Sequence, residues 1–151
     1  MRVTARVDYA VRSATELALE HPGTLTADTI AARQELPLAF TKQILSAMRR
    51  ASLVQSHRGG EGGYRLLRPP EAVSVADIVR AVEGPLADVR GEAPETLEYP
   101  PSTQVLRPLW IATRASLRAV LETVTLADLA AGKLPRDVEA YTEVAGAWER
   151  R

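Results

Sequence analysis

One stretch constrains this chain more than any other: His57-Arg58-Gly59-Gly60-Glu61-Gly62-Gly63-Tyr64-Arg65-Leu66 gathers four of its nine glycines into ten residues. Glycine adopts left-handed and sharply bent backbone without steric cost, so such a run does not continue a helix. Short extended runs flank it, Leu53-Val54-Gln55-Ser56-His57 before and Tyr64-Arg65-Leu66-Leu67 after. The spacing predicts a β-hairpin with a wide loop. A loop this bare brings backbone close to something, and Arg58 at its base supplies a cation. A nucleotide phosphate and a nucleic-acid backbone both fit.

The segments before the hairpin read as three helices. Val7, Ala10, Val11, Ala14, Leu17 and Ala18 recur at three- and four-residue steps from Thr4 to Glu20, until His21-Pro22-Gly23 breaks the pattern. Thr26 can cap a short second helix, with Asp28 in its first turn and Ile30 and Ala31 inward. Pro37 opens a third that runs to about Arg50. At about 100° per residue its Thr41, Ile44, Leu45 and Met48 share one face and pack inward. Ala39, Gln43, Ser46 and Arg50 lie opposite, flanked by Phe40 and Lys42, which makes an outward face that is small, amide-bearing and basic. An exposed Phe40 beside that face would be explained by a partner surface. Three helices and a hairpin, in that order, are the order of a winged helix-turn-helix domain, closed by Pro69-Pro70.

Beyond it, Ser74-Val75-Ala76-Asp77 is a capping sequence that launches a helix with Val75, Ile78, Val79 and Val82 inward, stopped by Gly84-Pro85. Residues 86–102 are loop-like, rich in proline and acids. A long helix begins near Leu106, with Leu106, Leu109, Trp110, Thr113, Leu117, Val120, Leu121 and Val124 on one stripe and Pro108 in its first turn. Thr125-Leu126-Ala127-Asp128 repeats the capping pattern and starts a short helix that ends at Gly132. The tail from 137 could add amphipathic turns through Val138, Tyr141, Ala145 and Trp148. The predicted fold is therefore mainly α with a small β-hairpin wing and a long C-terminal helix. Its parts are residues 1–70, a winged helix-turn-helix; 71–102, a linking helix and loop; 103–132, a dimerisation helix with the short helix after it; and 133–151, the tail.

Composition removes several classes of chemistry. With 46% hydrophobic residues in 151, the chain has ample material for a core. It has no cysteine, so disulfides, thiolate catalysis and cysteine-held metal or iron–sulfur sites are excluded. Its two histidines, His21 and His57, have no second candidate ligand at metal spacing. No apolar run is long enough to span a bilayer and the N-terminus lacks the apolar core of a signal peptide, so a cytoplasmic protein without a membrane partner is expected. The net charge of zero hides an asymmetry. Residues 1–70 carry 10 Arg/Lys against 6 Asp/Glu, a net of +4; residues 71–151 carry 9 against 13, a net of −4. A basic half joined to an acidic half points to one polyanion-binding surface and a separate module.

Context decides between the two anions. Nucleotide loops follow a buried strand and open a helix, often with a lysine and a hydroxyl residue, whereas these glycines lead into a strand with no lysine nearby. No nucleophile–base pair or metal set stands out, so nothing supports an enzyme. Duplex DNA explains more. A recognition helix enters the major groove with its N-terminal residues at base edges. There Gln43 can pair with adenine, Lys42 with guanine or a phosphate, and Arg50 with a phosphate. The wing then carries Arg58 to the backbone or to a narrow minor groove, where Gly59 and its neighbours permit close approach. A single helix and wing cover one half-site, and the long C-terminal stripe would supply a dimer for the second. A protein- or RNA-interaction module built on the basic half is the alternative.

The same residues resemble a known family. Met1-Arg2-Val3-Thr4 with Tyr9-Ala10-Val11, then Ile30-Ala31-Ala32-Arg33-Gln34, Leu36-Pro37, Phe40 and Gln43-Ile44-Leu45, are similar to the opening and helix-turn-helix of the Rrf-two (Rrf2) family of bacterial winged-helix regulators. Leu53-Val54, Arg58-Gly59 and Gly62-Gly63-Tyr64-Arg65-Leu66 are similar to its wing; Glu83-Gly84, Leu109-Trp110 and Thr125-Leu126-Ala127-Asp128-Leu129 continue the match to about residue 132. The resemblance implies a homodimeric transcription regulator, usually a repressor, on a palindromic operator. It places Ala39, Phe40, Lys42 and Gln43 in the groove, with Arg58 as the wing arginine. Cluster-binding relatives hold three cysteines in the loop before the long helix, where 86–104 here has none. Gln104 and Arg107 stand near positions where relatives carry ligands, and Asp8 matches a carboxylate some of them use. A member without cluster or other cofactor is expected, taking its signal from a small molecule near Trp110 and the 86–102 loop or from a protein on the acidic half.

Overall fold

The computed structural model describes residues 3–57 and 62–149. Helix α1, Ala5–Glu20, is capped by Thr4, whose hydroxyl accepts from the Val7 N–H at 3.2 Å. Helix α2, Ala27–Gln34, is capped in the same way by Thr26 and stops at Glu35, which adopts the left-handed conformation (φ 53°). Helix α3, Leu38–Arg50, starts immediately after Pro37, whose carbonyl accepts from Phe40 and Thr41. Strands β1, Val54–His57, and β2, Gly63–Leu66, form the antiparallel hairpin, with Val54 opposite Leu66 and Gln55 opposite Arg65.

Leu25, between α1 and α2, adds a contact that periodicity does not announce. It exchanges both backbone hydrogen bonds with Tyr64 (2.9 and 2.7 Å), so the hairpin is laced to the helices by a third, one-residue strand. That approach explains why residue 63 is a glycine: a Cβ there would lie 2.7 Å from the Leu25 carbonyl oxygen.

Helix α4, Val75–Glu83, has the full capping box: the Ser74 hydroxyl accepts from the Asp77 N–H and the Asp77 carboxylate from the Ser74 N–H, both at 3.1 Å. Residues 84–105 are irregular apart from 3₁₀ turns at Pro94–Thr96 and Pro101–Thr103. Helix α5 is Leu106–Leu121, α6 is Leu126–Ala130 and α7 is Arg136–Glu139. The two capping boxes face each other: Val75 donates to the Val124 carbonyl and Leu126 to the Val73 carbonyl, each at 2.9 Å.

The core draws on both halves of the chain. Leu17 of α1, Ile30 of α2, Ile44, Leu45 and Met48 of α3, Val54 of β1, Ile78 of α4 and Leu126 of α6 are fully buried. Each such side chain contributes on the order of 1.5–3 kcal/mol from burial. Around it, the buried Glu16 carboxylate of α1 accepts from Arg33 (3.1 Å) and Gln34 (2.6 Å), fixing the end of α2.

One inward assignment needs correction: Val75 is half-buried and borders a groove beside α5, and Ala76 takes the core position. Val79 packs against the core while also lining that groove. Helix α5 buries none of its residues. In the tail Val138 is buried, whereas Tyr141 and Trp148 are exposed. No helix among the described residues is long and apolar enough to cross a membrane.

Candidate nucleic-acid interface

Burial of Thr41, Ile44, Leu45, Ala47 and Met48 fixes the rotation of α3 and turns Ala39, Lys42, Gln43, Arg49 and Arg50 outward. Threonine at position 41 is tolerated in the core because its hydroxyl donates back to the Pro37 carbonyl at 3.1 Å. Phe40 departs from the expected free aromatic. It is half-buried and meets Tyr9 of α1 edge-on, with ring centroids 5.7 Å apart at 81°. The pairing of aromatic edge and face, worth about 0.5–1.5 kcal/mol beyond burial, accounts for Phe40 without any partner. The other face of the Tyr9 pair is covered by Arg12, 5.7 Å from the ring centre.

The end of α3 is tied to the hairpin. Arg49 donates to the Ser56 hydroxyl at 3.3 Å, Arg50 to Ser46 at 3.1 Å, and across the strands Arg65 donates to the Gln55 amide oxygen at 3.3 Å. Arg58 and Gly59, the wing residues predicted to touch DNA, lie outside the described residues.

This surface gathers several cations that no carboxylate among the described residues neutralises: Lys42, Arg49, Arg50 and Arg65 enter no salt bridge there. Several arginines elsewhere are matched: Arg33 with Glu16 and Glu20, Arg68 and Arg80 with Asp77, Arg80 with Glu122, Arg114 with Glu95. The cations near the hairpin meet only neutral hydroxyls and an amide, which orient them while leaving their charge uncompensated. Arg49 and Arg65 are members of this surface that helical periodicity does not single out. The signal is tertiary, a serine seven residues after Arg49 and a glutamine opposite Arg65.

The stripe on α5 is a second surface. Leu106, Trp110, Leu117, Val120 and Leu121 are half-buried, and Leu109 and Thr113 are exposed. Val124 belongs elsewhere: it follows the helix, is 4% exposed, and its backbone joins the bridge to Val75. The turn into α6 tucks it into the chain's own interior, out of reach of any partner. Val105 and Ile111, not part of the predicted stripe, are exposed instead. Leu117, Val120 and Leu121 form one wall of an apolar groove of about 800 Å³, with Val7 and Val11 of α1 and Val75 and Val79 of α4 opposite.

Ionisable groups beside this second surface are held low. The Thr125 hydroxyl and N–H both donate to Asp128, lowering its carboxyl below the usual aspartate value. The Glu95 carboxyl is lowered by its own backbone N–H and then by Arg114, 2.7 Å away on α5.

Among the described residues no group of three or more metal-ligating side chains comes together. The model of the Rrf2 family, described as an iron-dependent transcriptional regulator, matches residues 3–132. A Mycobacterium tuberculosis protein, described as a candidate HTH-type transcriptional regulator, is 47% identical over 139 residues, covering 91% of this chain and 86% of its own. The HTH-type transcriptional regulator CymR of Bacillus subtilis is 36% identical over 131 residues, 86% of this chain and 90% of its own. The solved structure of CymR, the global cysteine regulator of B. subtilis, superposes with a TM-score of 0.72 at 34% identity over 88% of this chain and 98% of its own. IscR of T. potens superposes with a TM-score of 0.70 at 31% identity over 87% and 88%.

Proposed function

Starting from the Rrf2 family of HTH-type transcriptional regulators, to which this chain belongs, we propose that it represses transcription as a homodimer on a palindromic operator, without an iron–sulfur cluster. The observation that carries the DNA surface is the run of unpaired cations from α3 to the hairpin. Phosphates would neutralise them and release counterions, which is where sequence-independent affinity arises. Gln43 and Lys42, on the exposed face near the start of α3, are the base-reading residues in this proposal; Ala39 leaves room for close approach, Arg50 holds a phosphate and Arg58 with Gly59 engages the adjacent groove. Phe40 acts by bracing α3 against Tyr9. Residues 1–70 form the reading head, 71–102 the link and 103–132 the dimerisation element, followed by the tail.

Dimerisation is supported by α5, a sixteen-residue helix that buries no residue in its own chain yet walls an apolar groove. Continuous apolar surface of this kind marks an interaction site, and a two-fold dimer would place two reading heads on two half-sites. The cluster-free assignment rests on chemistry. The chain has no cysteine, so the thiolates that hold such a cluster are absent, and the residues do not fit the group despite the family's iron-dependent description. The signal is then a small molecule or a protein partner.

A salt titration on duplex DNA tests the proposal. Operator affinity should fall steeply with salt, with sequence preference retained at each concentration. Arg58→Ala should cost about 1–3 kcal/mol of operator binding. Equal binding to every sequence would sink the operator reading and favour a general polyanion-interaction module.

A further inference from the structure

We infer that a polar cleft at the start of α5, separate from the apolar groove, binds a small zwitterion of the free α-amino-acid type. The cleft, about 300 Å³, is lined by Leu97, Glu98, Tyr99, Gln104 and Arg107. That is the lower end of the range for small-molecule sites, roughly 300–1,000 Å³, and suits a compact metabolite better than a nucleotide.

Its lining carries one cation and one anion. Arg107 and Glu98 face the same cleft, yet they do not come within ion-pair distance of each other, and neither has another ion-pair partner among the described residues. A guanidinium offers a planar fork of donors matched to a carboxylate, and a carboxylate accepts from an ammonium. A ligand carrying both groups satisfies both residues. A simple carboxylate leaves Glu98 as a repulsive neighbour, and a simple amine leaves Arg107 as one, so the pair selects for the zwitterion.

The neutral residues complete the pattern. Tyr99 accepts from the Trp110 indole N–H at 3.1 Å, which orients its ring and leaves its own hydroxyl hydrogen to donate. The Gln104 side-chain amide can donate or accept. Leu97, 2% exposed, gives an apolar floor against which a side chain can rest. The cleft also joins loop to helix, where Glu95 and Arg114 already bridge the same two elements. Occupancy would therefore stiffen the approach to α5. The inference does not depend on the operator reading, because binding is measured without DNA.

Isothermal titration calorimetry of the full chain against each common L-amino acid at millimolar concentration is the test. At least one should bind saturably, and its des-amino and decarboxylated analogues should bind about tenfold more weakly or worse. Arg107→Gln and Glu98→Gln should each weaken binding by a similar factor, with Arg107→Lys intermediate because it retains charge and loses the fork. Both residues are exposed, so unchanged thermal melts serve as the folding control. Absence of binding by every amino acid, or binding undiminished in both charge-removing variants, overturns the inference. Loss of amino-acid binding with operator specificity intact leaves the operator reading standing; the converse result removes that reading alone.

Discussion

Lys42 and Gln43 are neighbours on the exposed face of α3, and they should fail in different ways. If Gln43 reads a base as proposed, Gln43→Ala should cost about 1–3 kcal/mol on the cognate operator and relax preference at a single position. Lys42→Ala, if its contact is a phosphate, should weaken all sequences alike and reduce the salt slope by about 1. Competition binding on single-base operator variants separates the two, and identical profiles would count against the assignment. Asp128 supports a prediction of a different sort. Its carboxyl is held low chiefly by the Thr125 hydroxyl and N–H, so it contributes stability above the pH at which an unfolded aspartate titrates. That contribution is lost as pH falls through the lowered native value. Asp128→Asn should therefore be less stable near neutrality, toward the low end of the roughly 0.5–2 kcal/mol typical of a helix cap. Urea midpoints of the two proteins should draw together as pH falls below the ordinary aspartate range; a constant gap would contradict the linkage.

At the scale of the element, α5 is the segment whose sequence and environment disagree. Its apolar stripe is that of a packed helix, but the described residues leave that stripe half-buried at most, held by the turn at 94–96, the ion pair between Arg114 and Glu95, the Trp110 bond to Tyr99 and one flank of the groove. Leu117→Glu places a charge on that flank and should shift the chain from dimer to monomer in analytical ultracentrifugation. Operator affinity should fall with it, since each half-site then binds alone. A dimer that survives the substitution would move the interface elsewhere. Replacement of Leu117 should disturb the fold little, because the core of Leu17, Ile44, Met48, Ile78 and Leu126 lies on other elements.

Across the whole molecule, the basic and acidic halves do not form separate bodies. α4 and α6, from the acidic half, pack on α1, and the bridge between Ser74 and Thr125 locks the starts of α4 and α6 together. Helices α1, α2 and α3 thus share a core that α6 helps to fill through Leu126, while α5 stands outside it. Helix α4 touches α1, α3 and α5 and so lies between that core and α5.

Local physics explains what could be read in advance. Thr26, Ser74 and Thr125 cap helices because a hydroxyl and an orphan N–H lie within a few residues of each other. The inward face of α3 and the absence of a thiolate site likewise need only spacing and composition. Other features depend on residues distant in sequence. Gly63 answers to the Leu25 carbonyl, Phe40 is held by Tyr9, Arg49 is oriented by Ser56, and Val75 and Val79 border a groove whose other wall is more than thirty residues away. Val124 shares the stripe of α5 by periodicity but not by burial, because the chain turns into α6 just there. Periodicity tells which residues share a face of a helix. Only the packed chain decides whether that face meets its own core, an open groove or a neighbour, since burial is a property of the whole arrangement of elements and not of any one of them.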